Sequence, residues 1–194
     1  MSLVPEFELG LWNAWIFVLS FLLLFFVFSV LDRLRGHRGS SRPDKPPFNE
    51  KEERLYGFSQ LAIWASNFYS IFLPLKLNTA WFYAGFFIYL FGMIFTSIAG
   101  LSLDATPLDR PATKGLYRFS RNPVYLGCFL IYIGIGIVCA SWLFLLVTTI
   151  WMVLYDILTA PEERWCLEKY GDAYREYMNR TPKWIGVPKT EKRN

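Results

Sequence analysis

Four stretches of this chain contain no Asp, Glu, Lys or Arg: Leu11–Leu31, Leu55–Leu75, Leu77–Leu103 and Asn122–Tyr155. A helix crossing a hydrocarbon core of about 30 Å needs about 20 mostly apolar residues. Each of the first three stretches is long enough for one crossing. The fourth has 34 residues and as one helix would measure about 51 Å, too long for a single span. Two helices folded back on one another near Cys139–Ala140–Ser141–Trp142 fit that run better. Length alone allows an ordinary soluble domain; the clustering of charge does not.

The charge that remains sits in the connections. Arg33, Arg35, Arg38, Arg42, Lys45, Lys51 and Arg54 crowd the first loop, and Arg110, Lys114, Arg118 and Arg121 the third. The second loop has only Lys76, and no Lys or Arg precedes Leu11. Because basic loops stay cytoplasmic, this distribution predicts an outside N-terminus and a cytoplasmic C-terminus. The fold expected is an all-α integral membrane protein, a single membrane domain over 1–194 with about five transmembrane helices. Spans are expected at 11–31, 55–75 and 79–100, then a loop at 104–122 and a helical hairpin over 123–159. The net charge of +4 is membrane-loop charge, and no nucleic-acid partner is expected. The N-terminal run lacks a basic leader region and a small-residue cleavage site, so it reads as a span.

Past Asp156 the chain becomes polar and aromatic. Pro161 followed by Glu162 and Glu163 has the composition of a helix N-terminus. Cys166, Tyr170, Tyr174 and Tyr177 recur at helical spacing. An amphipathic cytoplasmic helix is therefore expected over 161–180. Gly85 and Gly92 offer close helix approach without a GxxxG spacing. His37 is the only histidine, and Cys128, Cys139 and Cys166 lack metal-ligand spacing, so no metal site is expected.

The two feet of the hairpin lie on one side of the membrane. That topology brings "SRNPVY", with Asn122 and Tyr125, toward Glu162 and Glu163. Acidic side chains at the base of a membrane bundle are costly unless paired or serving a ligand. Taken singly, Arg118 and Arg121 also suit headgroup anchoring, and the two glutamates suit a helix start. Together they suggest a polar cup facing the cytoplasm.

These residues fall in two motifs. The first is Gly115–Leu116–Tyr117 followed by Arg121–Asn122–Pro123–Val124–Tyr125–Leu126–Gly127. The second is Glu162–Glu163, Tyr170–Gly171, Tyr174, Tyr177 and Pro182. Over about residues 100–188 the chain resembles the isoprenylcysteine carboxyl methyltransferases and their prokaryotic membrane relatives. Asn122 stands where that family usually has His, and Cys166 where it usually has Leu. An amide hydrogen-bonds but does not titrate near neutrality.

The resemblance implies S-adenosyl-L-methionine as methyl donor, S-adenosyl-L-homocysteine as product, and a lipophilic or lipidated acceptor drawn from the membrane lipid. By position, Pro111, Ala112, Leu116 and Tyr117 border the cofactor. Asn122 and Tyr125 bind its polar tail or close its pocket, and Glu162 and Glu163 bind its ribose hydroxyls or amino group. Arg121 or Arg164 would orient an acceptor carboxylate, such as that of a prenylated cysteine, bidentately. A sulfonium methyl is already activated, so the protein's task is alignment and water exclusion. The lone, distant histidine favours a nucleophile that arrives deprotonated. The same architecture also suits phospholipid or thiol acceptors. Integral-membrane sterol reductases, which use a nicotinamide cofactor, share a related C-terminal pattern but are generally longer. No paired broken helices suggest a carrier.

Overall fold

The computed structural model describes residues 7–34 and 48–188, and these contain six α-helices. The helices are α1 (Trp15–Leu34), α2 (Glu50–Tyr69), α3 (Ala80–Asp104), α4 (Pro123–Val138), α5 (Trp142–Tyr170) and α6 (Asp172–Arg180), with short 3-10 turns at Ser70–Phe72 and Gly115–Arg118. Arg35, His37, Arg38, Arg42 and Lys45 of the basic first loop lie outside the described residues. Two helices, α3 and α5, are long and apolar enough to cross a membrane; Trp15–Leu31 and Pro123–Val138 form shorter apolar helices.

The outward faces of both long helices carry an apolar stripe. On α3, Phe87, Phe91, Ile94 and Ile98 are exposed, and on α5 so are Leu146, Ile150, Val153 and Ile157. Both sets follow the 4-3-4 spacing of one helical face. Such contiguous apolar surface suits lipid better than water.

The inner seam is glycine. Gly85 and Gly92 of α3 face Gly127 and Gly134 of α4, each pair seven residues apart. A Cβ built on Gly92 would stand 2.8 Å from the Ile131 backbone nitrogen, and one on Gly134 2.7 Å from that of Tyr89. The two backbones therefore touch where side chains normally separate them. Beside the seam, Tyr89, Ile131, Tyr132, Ile135 and Phe144 form a continuous buried core.

Local chemistry sets the helix ends. Asn49 caps α2 with a capping box, its side chain accepting from the Lys51 and Glu52 amides while Glu52 reaches back to the Asn49 amide. Thr79 caps α3 through the Phe82 amide, and Ser141 caps α5 through that of Phe144. The turn between α4 and α5 falls at Cys139–Ala140, where Ala140 adopts φ +50°. At that same end, the Leu73 carbonyl accepts from Ala14 N–H at 2.9 Å and the Val138 carbonyl from Lys76 N–H at 3.1 Å.

Two boundaries differ from expectation. The helix of the 55–75 stretch starts at Glu50, because the capping box makes the acidic first turn favourable, and it ends at Tyr69. Nor does a separate helix begin at Pro161. Pro161 is buried inside α5, and the break falls at Gly171, whose φ of +56° suits glycine. Proline at this point removes one N–H donor but keeps a helical φ, so a well-packed helix runs through it. The segment expected as one helix over 161–180 is thus the end of α5 plus α6. At 29 residues, α5 is about 44 Å long. Its uncharged run stops before Asp156, so Glu162 and Glu163 lie beyond that run.

The seam predicts a clean pair of stability outcomes. Gly92→Val should cost about 1–3 kcal/mol or more by overpacking, read as a lower melting temperature in detergent. Gly57→Ala, in α2 with open space around it, should stabilise by about 0.5–1 kcal/mol. Equal melting points for Gly92→Val and wild type would mean the seam is not close-packed.

Candidate functional site

A cavity of about 460 Å³ opens beneath the α3–α4 seam, inside the roughly 300–1,000 Å³ range of small-molecule sites. Its walls come from five of the six helices and the loop between α3 and α4. Phe25 of α1 and Leu103 of α3 give apolar surface, and Pro111, Ala112 and Tyr117 come from the loop. Arg121 and Asn122 lead into α4, and Val124 and Tyr125 lie in its first turn. The end of α5 adds Glu162, Glu163, Trp165, Cys166 and Tyr170, and α6 adds Tyr174 and Tyr177.

The loop is held from below. Tyr177 donates its hydroxyl to the Tyr117 carbonyl at 2.7 Å, and Tyr117, Tyr174 and Tyr177 form a small buried cluster. Residues 181–188 then pass under the loop as a strap. Arg121 N–H donates to the Pro182 carbonyl at 3.0 Å, and Gly186 N–H to the Phe119 carbonyl at 3.1 Å. The Asn122 side-chain amide donates to the Lys183 carbonyl at 3.1 Å. The strap is pinned to α5 by Lys183 and Trp184, both bound to the Asp156 carboxylate at 2.7 Å. Asn122 therefore acts as a hydrogen-bonding tie, a task an amide performs as well as an imidazole.

Two neighbouring carboxylates sit in different electrostatic settings. Glu163 forms an ion pair with Arg121 at 3.0 Å, both side chains mostly buried (15% and 12% exposed). Arg121 also donates to the Met178 carbonyl at 3.2 Å, while its buried Nε has no hydrogen-bond partner. Burial raises the Glu163 carboxyl, and the Arg121 charge opposes that rise. Glu162 accepts a hydrogen bond from the Tyr125 hydroxyl at 2.6 Å and has no cation beside it among the described residues. Burial pushes its carboxyl up to about 7, with Tyr125 restraining the rise and Glu163 adding to it. Burial thus raises both carboxyls, but only Glu163 has an arginine beside it to oppose the rise.

Most of the residues singled out from sequence converge here: Pro111, Ala112, Tyr117, Arg121, Asn122, Tyr125, Glu162 and Glu163 all line the cavity. Leu116 does not; it lies in the adjacent 3-10 turn, its carbonyl accepting from Phe119 and Ser120 N–H. Arg164 points away, toward α2, and forks onto Glu52 at 3.2 and 3.0 Å. Phe25, Leu103, Val124 and Trp165 were not anticipated. Phe25 sits in a stretch crowded with equivalent phenylalanines and carries no distinguishing sequence signal. The strap was visible only as the late proline, Pro182.

Residues 69–173 match the phospholipid methyltransferase family, more than half of the chain, and the protein belongs to that family of methyl-transferring enzymes. Its two long apolar helices and this membership point to association with a membrane. Over 78 residues it is 38% identical to Methanethiol S-methyltransferase 1 of Bradyrhizobium diazoefficiens. That match covers 40% of this chain but 26% of the relative, so it spans about a quarter of that protein's length.

The tie between α6 and the loop has a measurable weight. Tyr177→Phe leaves the buried Tyr117 carbonyl without this donor and should cost about 1–3 kcal/mol. Amide exchange over residues 115–122 should accelerate with it. The exposed Tyr83→Phe should change neither, and protection equal to wild type in Tyr177→Phe would disprove the tie.

Proposed function

We propose that the protein transfers a methyl group from S-adenosyl-L-methionine to a lipophilic acceptor. The observation carrying this reading is the single cavity that joins the two motifs through Tyr125–Glu162 and Arg121–Glu163, in a chain of a methyltransferase family. When bound, the cofactor supplies a methyl already activated for attack. The residues present fit it in three ways. Two carboxylates against one arginine favour a cationic ligand. A wall of Tyr117, Tyr125, Trp165, Tyr170, Tyr174 and Tyr177 offers aromatic faces to a positive charge. The unsatisfied Arg121 Nε supplies a donor for a carboxylate tail.

In this reading Pro111, Ala112 and Tyr117 border the cofactor, with Leu116 supporting the turn behind them. Glu163 binds its amino group or ribose hydroxyls, and the strap and α6 keep water out from below. Phe25, Leu103 and Val124 form the apolar side, through which the acceptor enters from the bilayer. Topology follows the loop charges: five crossings, N-terminus outside, C-terminus and cavity cytoplasmic. A prenylcysteine-type carboxylate would need Arg121 to exchange Glu163 for the acceptor, since Arg164 is engaged with Glu52. A thiol or amine acceptor needs no such exchange, and the likeness to a methanethiol S-methyltransferase favours that second reading.

Calorimetric titration with S-adenosylhomocysteine tests the proposal. Saturable binding is expected, weakened more than about tenfold in Glu163→Ala, a loss of at least about 1.4 kcal/mol. Arg164→Ala should stay within twofold of wild type. Binding of reduced nicotinamide dinucleotide phosphate in place of S-adenosylhomocysteine would replace methyl transfer with reduction.

A further inference from the structure

We propose that Glu162 is the proton acceptor of the reaction, and hence that the methyl acceptor is a nucleophile arriving with its proton, a thiol or an amine. The inference rests on the methyl-transfer reading and goes beyond it in giving Glu162 a role other than cofactor contact.

The geometry separates the two glutamates. Glu163 is committed: Arg121 holds it at 3.0 Å. Glu162 lines the same cavity and has one hydrogen-bond partner among the described residues, the Tyr125 hydroxyl. That bond fixes Oε1 and orients the carboxylate. It also places a proton donor, not a cation, beside it. Removal from water favours the neutral acid, so the carboxylate gains by taking up a proton, while the Tyr125 hydrogen bond restrains that gain. Titratable groups near it are Tyr125 from α4, and Tyr155 and Glu163 from its own helix. Across the cavity α6 contributes Tyr174 and Tyr177, and the loop contributes Arg121, already engaged with Glu163. The tyrosines do not compete as bases at neutral pH, since burial raises the Tyr174 and Tyr177 hydroxyls further, and Glu163 is held by Arg121.

The sequence, with its one remote histidine, pointed to a nucleophile needing no base. Here a carboxylate supplies the base instead. The step balances as follows. The acceptor sulfur or nitrogen uses a lone pair to form the bond to the methyl carbon. The carbon–sulfur bond of the donor breaks, its electron pair staying on the donor sulfur. The proton of the acceptor passes to a Glu162 oxygen and from there to cytoplasmic water. A carboxylate acceptor brings no proton and would leave Glu162 idle.

Two variants and three acceptors test this: decanethiol, phosphatidylethanolamine vesicles, and N-acetyl-S-farnesylcysteine as the carboxylate. Wild type should methylate a thiol or amine, with an acid limb near neutral pH. Glu162→Gln should bind S-adenosylhomocysteine within about threefold of wild type while turnover at neutral pH falls about 100-fold or more. Its residual rate on decanethiol should climb with pH until the thiol ionises unaided. In Tyr125→Phe, loss of the hydrogen bond that restrains the Glu162 carboxyl raises it further, so the acid limb should move to higher pH. Methylation of the carboxylate alone overturns the proposal. So does a Glu162→Gln pH profile matching wild type, or a loss of S-adenosylhomocysteine affinity in a folded Glu162→Gln. If Glu162→Gln does not fold, an unmoved acid limb in Tyr125→Phe overturns it. Failure of wild type itself to bind S-adenosylhomocysteine removes the methyl-transfer reading as well, and is recognisable as such.

Discussion

Backbone contact between α3 and α4 fixes the rest of this molecule. With glycines at 85, 92, 127 and 134 the two helices meet without intervening side chains, so their relative position along the axis has little freedom. Dispersion between close-packed atoms is small per pair and large in sum, and in a bilayer it replaces the water-driven term that holds soluble helices together. Because α4 begins at Pro123, a fixed α4 also fixes where Arg121 and Asn122 stand. The cavity wall is therefore registered by a contact that begins at Gly127, little more than one turn along α4.

A second constraint is the cost of ionised groups in an apolar surrounding. Arg121 and Glu163 meet it by pairing; the exposed Asp156 draws Lys183 and Trp184 onto itself. The Asp156 arrangement ties the C-terminal strap to α5, and the strap in turn holds the Arg121 and Asn122 end of α4 through Pro182 and Lys183 carbonyls. Polar satisfaction and site geometry are thus one network. Glu162 is the exception, partly buried against a hydroxyl with no counter-charge among the described residues. Perturbed groups of this kind concentrate where chemistry is done.

Sequence periodicity carried the helical architecture because charge and apolar runs separate so sharply here. The hairpin turn at Cys139–Ala140 followed from length alone: 34 uncharged residues do not make one span. Proximity of Tyr125 to Glu162 followed from the hairpin's parity. What the pattern did not carry was which of two breakers acts. Pro161 has every local mark of a helix start, yet it lies inside α5, whereas Gly171, carrying a left-handed φ, ends the helix. Composition states what a residue permits; packing decides whether the permission is used. Arg164 teaches the same lesson in charge. Two residues from Glu162, it belongs to another face, because successive positions on a helix point about 100° apart, and it meets Glu52 of α2 instead of the cavity.

That angular argument also explains why the aromatic set survives the break at Gly171. Cys166 and Tyr170 lie four apart on α5, one face by helical spacing, and Tyr174 and Tyr177 lie three apart on α6, again one face. A straight helix would have carried all four on a single line. Turning the chain at Gly171 lets α6 fold its two tyrosines toward the loop, where Tyr177 reaches the Tyr117 carbonyl while Cys166 and Tyr170 stay on the cavity wall. A line of contacts becomes an enclosure. One residue with a positive φ converts an amphipathic stripe, suited at most to lying on a membrane, into the floor of a pocket.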